Sequence, residues 1–191
     1  CKMKSSNLLT IMNPRVTLGI LTGLLLFAGC GQKEDPRIQQ FRQQILTSSL
    51  PATPASIAAT LSSLAPDSEV TVVGRIYGGE SSPFDSAKAS FSIIELPEPG
   101  HNHDDPGDCP FCKHKLAQAA MAIVQVCDST GTPIDMPADK LLGLSKNQDL
   151  VVTGRANKVG EVLMIQASSV HSLAKEVAEN MAKEFAATAS K

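Results

Sequence analysis

Apolar and polar positions along the chain alternate or cluster in five short stretches that predict β-strands. Residues 70–77 (VTVVGRIY) are dense in β-branched side chains and stop at Gly78-Gly79. Residues 89–96 (ASFSIIEL) place Phe91, Ile93 and Glu95 on one face. The later half of 117–128 (AQAAMAIVQVCD) gives a third strand, closed by the turn Ser129-Thr130-Gly131. Residues 148–159 and 161–168 form two further strands around Asn157-Lys158-Val159-Gly160, and their tight spacing predicts a hairpin. Between the third and fourth strands, 137–144 (PADKLLGL) reads as a short helix with proline near its start. The period changes at the end of the chain. In 172–187 (SLAKEVAENMAKEFAA), Leu173, Val177, Met181 and Phe185 fall at four-residue steps beside Ala174, Ala178 and Ala182, which predicts an amphipathic helix.

Upstream of the first strand the pattern is weaker. Ile38, Phe41 and Ile45, spaced by three and four in a polar context, predict a weakly amphipathic helix. Residues 47–69 are low in charge and rich in Ser, Ala and Pro, the composition of a flexible spacer. Within them, 54–64 (PASIAATLSSL) can equally form a short helix packed on the domain. The resulting division is 1–29 as a leader, 30–68 as tether and short helices, 69–173 as the folded domain with an inserted loop at 97–116, and 174–191 as the C-terminal helix.

Two strands share a V-x-G-R pattern, Val72-Val73-Gly74-Arg75 and Val152-Thr153-Gly154-Arg155. A glycine inside a strand marks a bulge or sharp bend, and bends of this kind are what closing a small barrel requires. Five strands with a short helix between the third and fourth resemble the OB fold. The resemblance covers residues 69–173. It implies a mainly β architecture, a small five-stranded OB-like Greek-key barrel followed by a C-terminal helix. An α+β sandwich is the alternative arrangement.

The leader has its own signature. Lys2, Lys4 and Arg15 precede an apolar run, 16–28 (VTLGILTGLLLFA), that is shorter than the roughly twenty residues of a membrane-spanning helix. This is the pattern of a signal peptide. The run ends in Leu26-Phe27-Ala28-Gly29-Cys30, which resembles the lipobox of bacterial lipoproteins, although Phe27 stands where leucine is usual. The resemblance implies cleavage before Cys30, a diacylglycerol on its thiol and acylation of its new amine. The protein would then be exported and held at a membrane by these acyl chains. Gly31 instead of aspartate after the cysteine favours the outer membrane in a double-membrane cell.

Charge and composition remove several function classes. Taking Lys2, Lys4 and Arg15 from the 17 basic residues leaves 14 against 19 acidic ones, a net charge of −5 for the exported chain. With no basic stripe, no Trp and Tyr77 as the single tyrosine, a phosphate-binding surface is lacking and a base-stacking platform is poorly supplied, so no nucleic acid partner is expected. A protein partner remains open. No Ser-His-Asp order, phosphate loop or HExxH is present, which weighs against hydrolase and nucleotide-binding activity. The chain reads more as a binding protein than as an enzyme.

The candidate chemistry is concentrated in 100–115, GHNHDDPGDCPFCKHK. It holds His101, His103 and His114, three of the four histidines, with Cys109 and Cys112 spaced C-x-x-C. Two thiolates on one turn plus an imidazole form a donor set suited to Zn(II) or Cu(I). Cys109, Cys112 and His114 would supply three ligands and His101 or His103 a fourth. Asp104, Asp105 and Asp108 could orient the imidazoles. Three other readings compete. Cys109-Pro110-Phe111-Cys112 resembles the redox turn of thioredoxin-like proteins, with a helix over 113–121 to stabilise a thiolate. A C-x-x-C-H haem attachment would need histidine where Lys113 stands, and the histidine-plus-tyrosine motif of the OB-fold haem chaperone has no counterpart here. Export also permits a plain disulfide between the two cysteines. Cys127, in the third strand, reads as a core thiol, and His171 as a cap or surface residue.

Overall fold

The computed structural model describes residues 35–51, 53–97, 116 and 118–189, all within the compact unit Asp35–Lys191. Five strands form a closed barrel: β1 (Ser68–Ile76), β2 (Ser90–Ile94), β3 (Met121–Val126), β4 (Asp149–Val159) and β5 (Val162–Ser172). Their order around the barrel is β1-β2-β3-β5-β4, with β4 returning to β1. All neighbours are antiparallel except β3 and β5, which run parallel. That order, with one parallel closure, makes this an OB-like barrel, and the α+β sandwich is set aside. Four helices accompany the strands among the described residues: α1 (Pro36–Ile45), α2 (Ile57–Ser63), α3 (Ala138–Leu142) and α4 (Lys175–Ala189).

The alternation read from the sequence becomes the barrel's inside and outside. Val72 and Ile76 of β1, Phe91 and Ile93 of β2, Val124 and Val126 of β3, Leu150 and Val152 of β4, and Leu163 and Ile165 of β5 fill one core. Burying each such side chain contributes about 1.5–3 kcal/mol. Aromatic residues are scarce, so aliphatic side chains do nearly all of this, with Phe91 the largest fully buried one.

The two strand glycines act by different means. At Gly154 the β4–β5 register shifts after Thr153, so this strand pair carries the expected irregularity. An added Cβ there would lie 2.1 Å from the Gln166 carbonyl oxygen. Gly74 sits in an unbroken β1–β4 ladder. Its role is close approach: a Cβ would meet the Ile94 carbonyl oxygen at 2.7 Å and the Ile57 side chain at 3.3 Å. The β4–β5 hairpin turns one step later than its sequence placed it. Val159 pairs with Val162, and Gly160 takes the left-handed conformation (φ 62°) in the two-residue turn between them.

The stretch read as a tether is, from Asp35 on, laid against the barrel over its described residues. Asp35 caps α1 by accepting the Arg37 N–H at 2.9 Å, with proline in the first turn. Ile45 is buried in the barrel core, and Ile38 and Phe41 pack beside it, at the spacing the sequence showed. Beyond α1, Thr47 N–H donates to the Val170 carbonyl (3.0 Å), on the part of β5 that has passed the end of β3. Next, Ala55 N–H donates to Thr71 O (2.9 Å) and Ala55 O accepts from Val73 N–H (3.1 Å), on the part of β1 that β2 does not reach. This segment therefore satisfies backbone groups that two strands would otherwise leave unpaired. At seven residues α2 is too short to be stable alone. The Ser56 hydroxyl caps it and Ile57, fully buried, anchors it in the core.

Helix α3 closes on the core through Ala138, Leu141 and Leu142 and ends at Gly143, whose φ of 72° suits the C-cap position. The Arg42 guanidinium reaches across from α1 to the last α3 carbonyls, Leu141 O (2.9 Å from Nε) and Lys140 O (3.1 Å from Nη2). Helix α4 starts three residues later than the sequence pattern placed it. It covers the outward side of β1 and β4, where Val73, Val151 and Leu96 form a second apolar cluster with Ala178 and Ala182. Leu173, Met181 and Phe185 border that cluster, whereas Val177 is exposed. No described helix is long and apolar enough to cross a membrane.

Candidate functional site

The loop carrying His101, His103, Cys109, Cys112 and His114 lies outside the described residues, as does Cys30 with the leader. What the structure does describe is the base from which that loop departs and to which it returns. Strands β2 and β3 are antiparallel neighbours, paired from Ser90–Gln125 to Ile94–Met121. One step beyond, Glu95 N–H donates to Ala120 O at 3.0 Å. Glu95 and Ala120, the two ends of the intervening segment, are thus held at adjoining points. Of the helix expected over 113–121, a single turn is described, in which Ala119 N–H donates to Leu116 O at 3.2 Å. Met121 already belongs to β3, so any helix stops short of it.

Two contacts fix this base. Leu96 is buried in the cluster beneath α4, which ties the departing chain to the C-terminal helix. Glu95 turns its carboxylate to the start of α2, where Oε2 accepts the Ala58 N–H at 3.1 Å. Burial pushes the Glu95 carboxyl above its usual range, and the hydrogen bond from Ala58 only partly opposes this. The consequence for stability has a definite sign. A raised folded-state pKa means the folded protein holds more protons than the unfolded chain at pH values above the ordinary glutamate range. Stability from this group is therefore fully present below that range and is lost as pH rises through the folded value. A glutamine keeps an oxygen for Ala58 and carries no charge. Glu95→Gln is accordingly expected to gain stability relative to the wild type as pH is raised from 4 to 7, read from urea midpoints at each pH. A wild-type advantage that widens with pH would contradict it.

Elsewhere in the described residues, no group of three or more His, Cys, Asp or Glu side chains is placed to hold a metal ion. Cys127 is half-buried just past β3, bridged to Pro133, and is not the fully buried core residue that the sequence pointed to. Burial and then the neighbouring Asp128 charge push its thiol upward, so it stays protonated and is a poor nucleophile. Asp128 is held below the usual carboxylate range, first by the Thr130 hydroxyl and then by the Thr132 backbone, in a tight turn. His171 is neither a cap nor a free surface residue. It lies in β5 with Nδ1 2.8 Å from the Thr47 carbonyl. A carbonyl oxygen only accepts, so Nδ1 carries the proton and the ring pins the segment after α1.

The sequence reading missed the ion pair between Arg75 and Asp149. The two residues face each other in the β1–β4 register. The guanidinium grips the carboxylate with both oxygens, Nε–Oδ1 at 2.7 Å and Nη2–Oδ2 at 2.9 Å, at exposures of 15% and 6%. In the sequence Arg75 stands out only as part of the V-x-G-R repeat. A sequence signal existed in the wish of a buried arginine for a carboxylate, but no local spacing links positions 75 and 149.

Comparison with known proteins adds little beyond the barrel. No family model matches the chain, and no curated protein matches it. Among solved structures, four chains match. One of them, described as "Crystal structure of S. pombe Stn1-ten1 complex", is 14% identical with a TM-score of 0.33, over 61% of this chain and 65% of that one. This chain thus spans less than two thirds of that neighbour. The OB-like assignment rests on the strand order of the barrel itself.

Proposed function

We propose that this protein is an exported, lipid-anchored binding protein whose OB-like barrel carries a metal-binding loop. In this reading Cys30 bears the lipid, and Cys109, Cys112, His114 and one of His101 or His103 hold a zinc or copper ion. The observation that supports it most directly is the closed base of the loop, the Glu95 N–H to Ala120 O bond at 3.0 Å between two paired strands. Loop closure costs conformational entropy before any ligand is engaged. Here the barrel has already met that cost, because both ends of the ligand-bearing segment are fixed at adjoining points. A donor set drawn from inside one closed loop then needs no rearrangement of the barrel. Two thiolates with one or two imidazoles bind zinc or copper(I) and release protons on doing so, so affinity should fall as the solution is acidified.

Elemental analysis of the full chain, purified in mild detergent under reducing conditions, tests the loop. Near-stoichiometric zinc or copper is expected, and it should be lost in the Cys109→Ser/Cys112→Ser variant while the barrel's circular dichroism is unchanged. Metal retained by that variant would overturn the ligand assignment. A metal-free protein whose two thiols cycle readily with a disulfide would replace it by the thiol-redox reading. The anchor is tested separately by mass spectrometry of the mature amino terminus from an expressing bacterium. Acyl chains on Cys30 are expected, and an unmodified terminus at another residue would remove the anchor without touching the loop.

A further inference from the structure

We draw no further inference here: the strongest candidate, the outward-facing apolar patch of Met121, Ile123, Val159, Val162 and Met164 on β3, β4 and β5, carries nothing because no feature of the structure shows what covers it.

Discussion

Gly154→Ala is expected to destabilise the protein by about 3 kcal/mol, the upper end of what overpacking usually costs. For a chain of this size that corresponds to a melting temperature lower by roughly 10 °C. The added methyl would sit 2.1 Å from Gln166 O, 2.8 Å from its carbonyl carbon and 2.9 Å from the Ala167 Cα. All three are backbone atoms of the paired strand, so no side-chain rotation relieves the clash. Strand β5 would have to move away from β4 where it is also paired with β3, because Gln166 and Ala167 belong to both ladders. Gly160 supplies the control. Open space surrounds its Cβ position, but its φ is +62°. Gly160→Ala should therefore cost only about 1–2 kcal/mol of left-handed strain, and Gly160→Asn less. Thermal melts of the three variants would check the ranking. Equal losses for Gly154→Ala and Gly160→Ala would show that β5 gives way more easily than its double pairing implies.

Asp149→Ala is the second large effect, about 3–5 kcal/mol, because it strands the Arg75 guanidinium in a largely dry position. The pair lies on the outward side of the sheet, yet Asp149 keeps only 6% of its surface exposed. The neighbouring outward residues Ile94 and Val151 are fully buried too, so water cannot easily take over the lost contact. The native pair need not add much net stability, since desolvating two charges offsets most of their attraction. Replacing both partners, as in Arg75→Met/Asp149→Leu, should recover most of the loss and end within about 1 kcal/mol of the wild type. A double-mutant cycle in urea would measure the coupling. If the double variant were as unstable as Asp149→Ala, the pair would have to be contributing more than charge compensation. One further contact tests the same region. The Asp149 carbonyl accepts the Leu173 N–H at 2.9 Å just before α4. Being a backbone bond, it should survive both variants, so α4 should remain docked.

The elements were legible wherever the sequence carried a local period. Strand β2 follows from a spacing of two, and α1 and α4 from spacings of three and four, which hold whatever the rest of the chain does. The other strands and α3 follow from equally local signals: β-branched density, tight turns and a helix-starting proline. The His/Cys cluster is a feature of the sequence alone, since its candidate ligands are close neighbours along the chain and lie outside the described residues. The segment joining α1 to β1 was harder to read. Thr47 and Ala55 dock through backbone N–H and C=O groups that nearly every residue has, so a Ser, Ala and Pro composition gives the same signal whether it spans a gap or stitches a barrel edge. Glu95 shows another limit. Alternation groups it with Phe91 and Ile93, but that spacing does not say that its carboxylate meets α2 just past the last residue of β2.

What the sequence alone determined is the set of parts: aliphatic strands that need two faces, a hairpin, an amphipathic C-terminal helix, and one loop crowded with soft donors. The tertiary structure decided how those parts work. It put Gly154 under Gln166 and Gly74 under Ile94, joined Arg75 to Asp149 and Glu95 to Ala58, and tied the two ends of the donor loop together at Glu95 and Ala120. Each of these depends on closing the barrel, which sets residues far apart in sequence against one another, and no period along the chain records that distance.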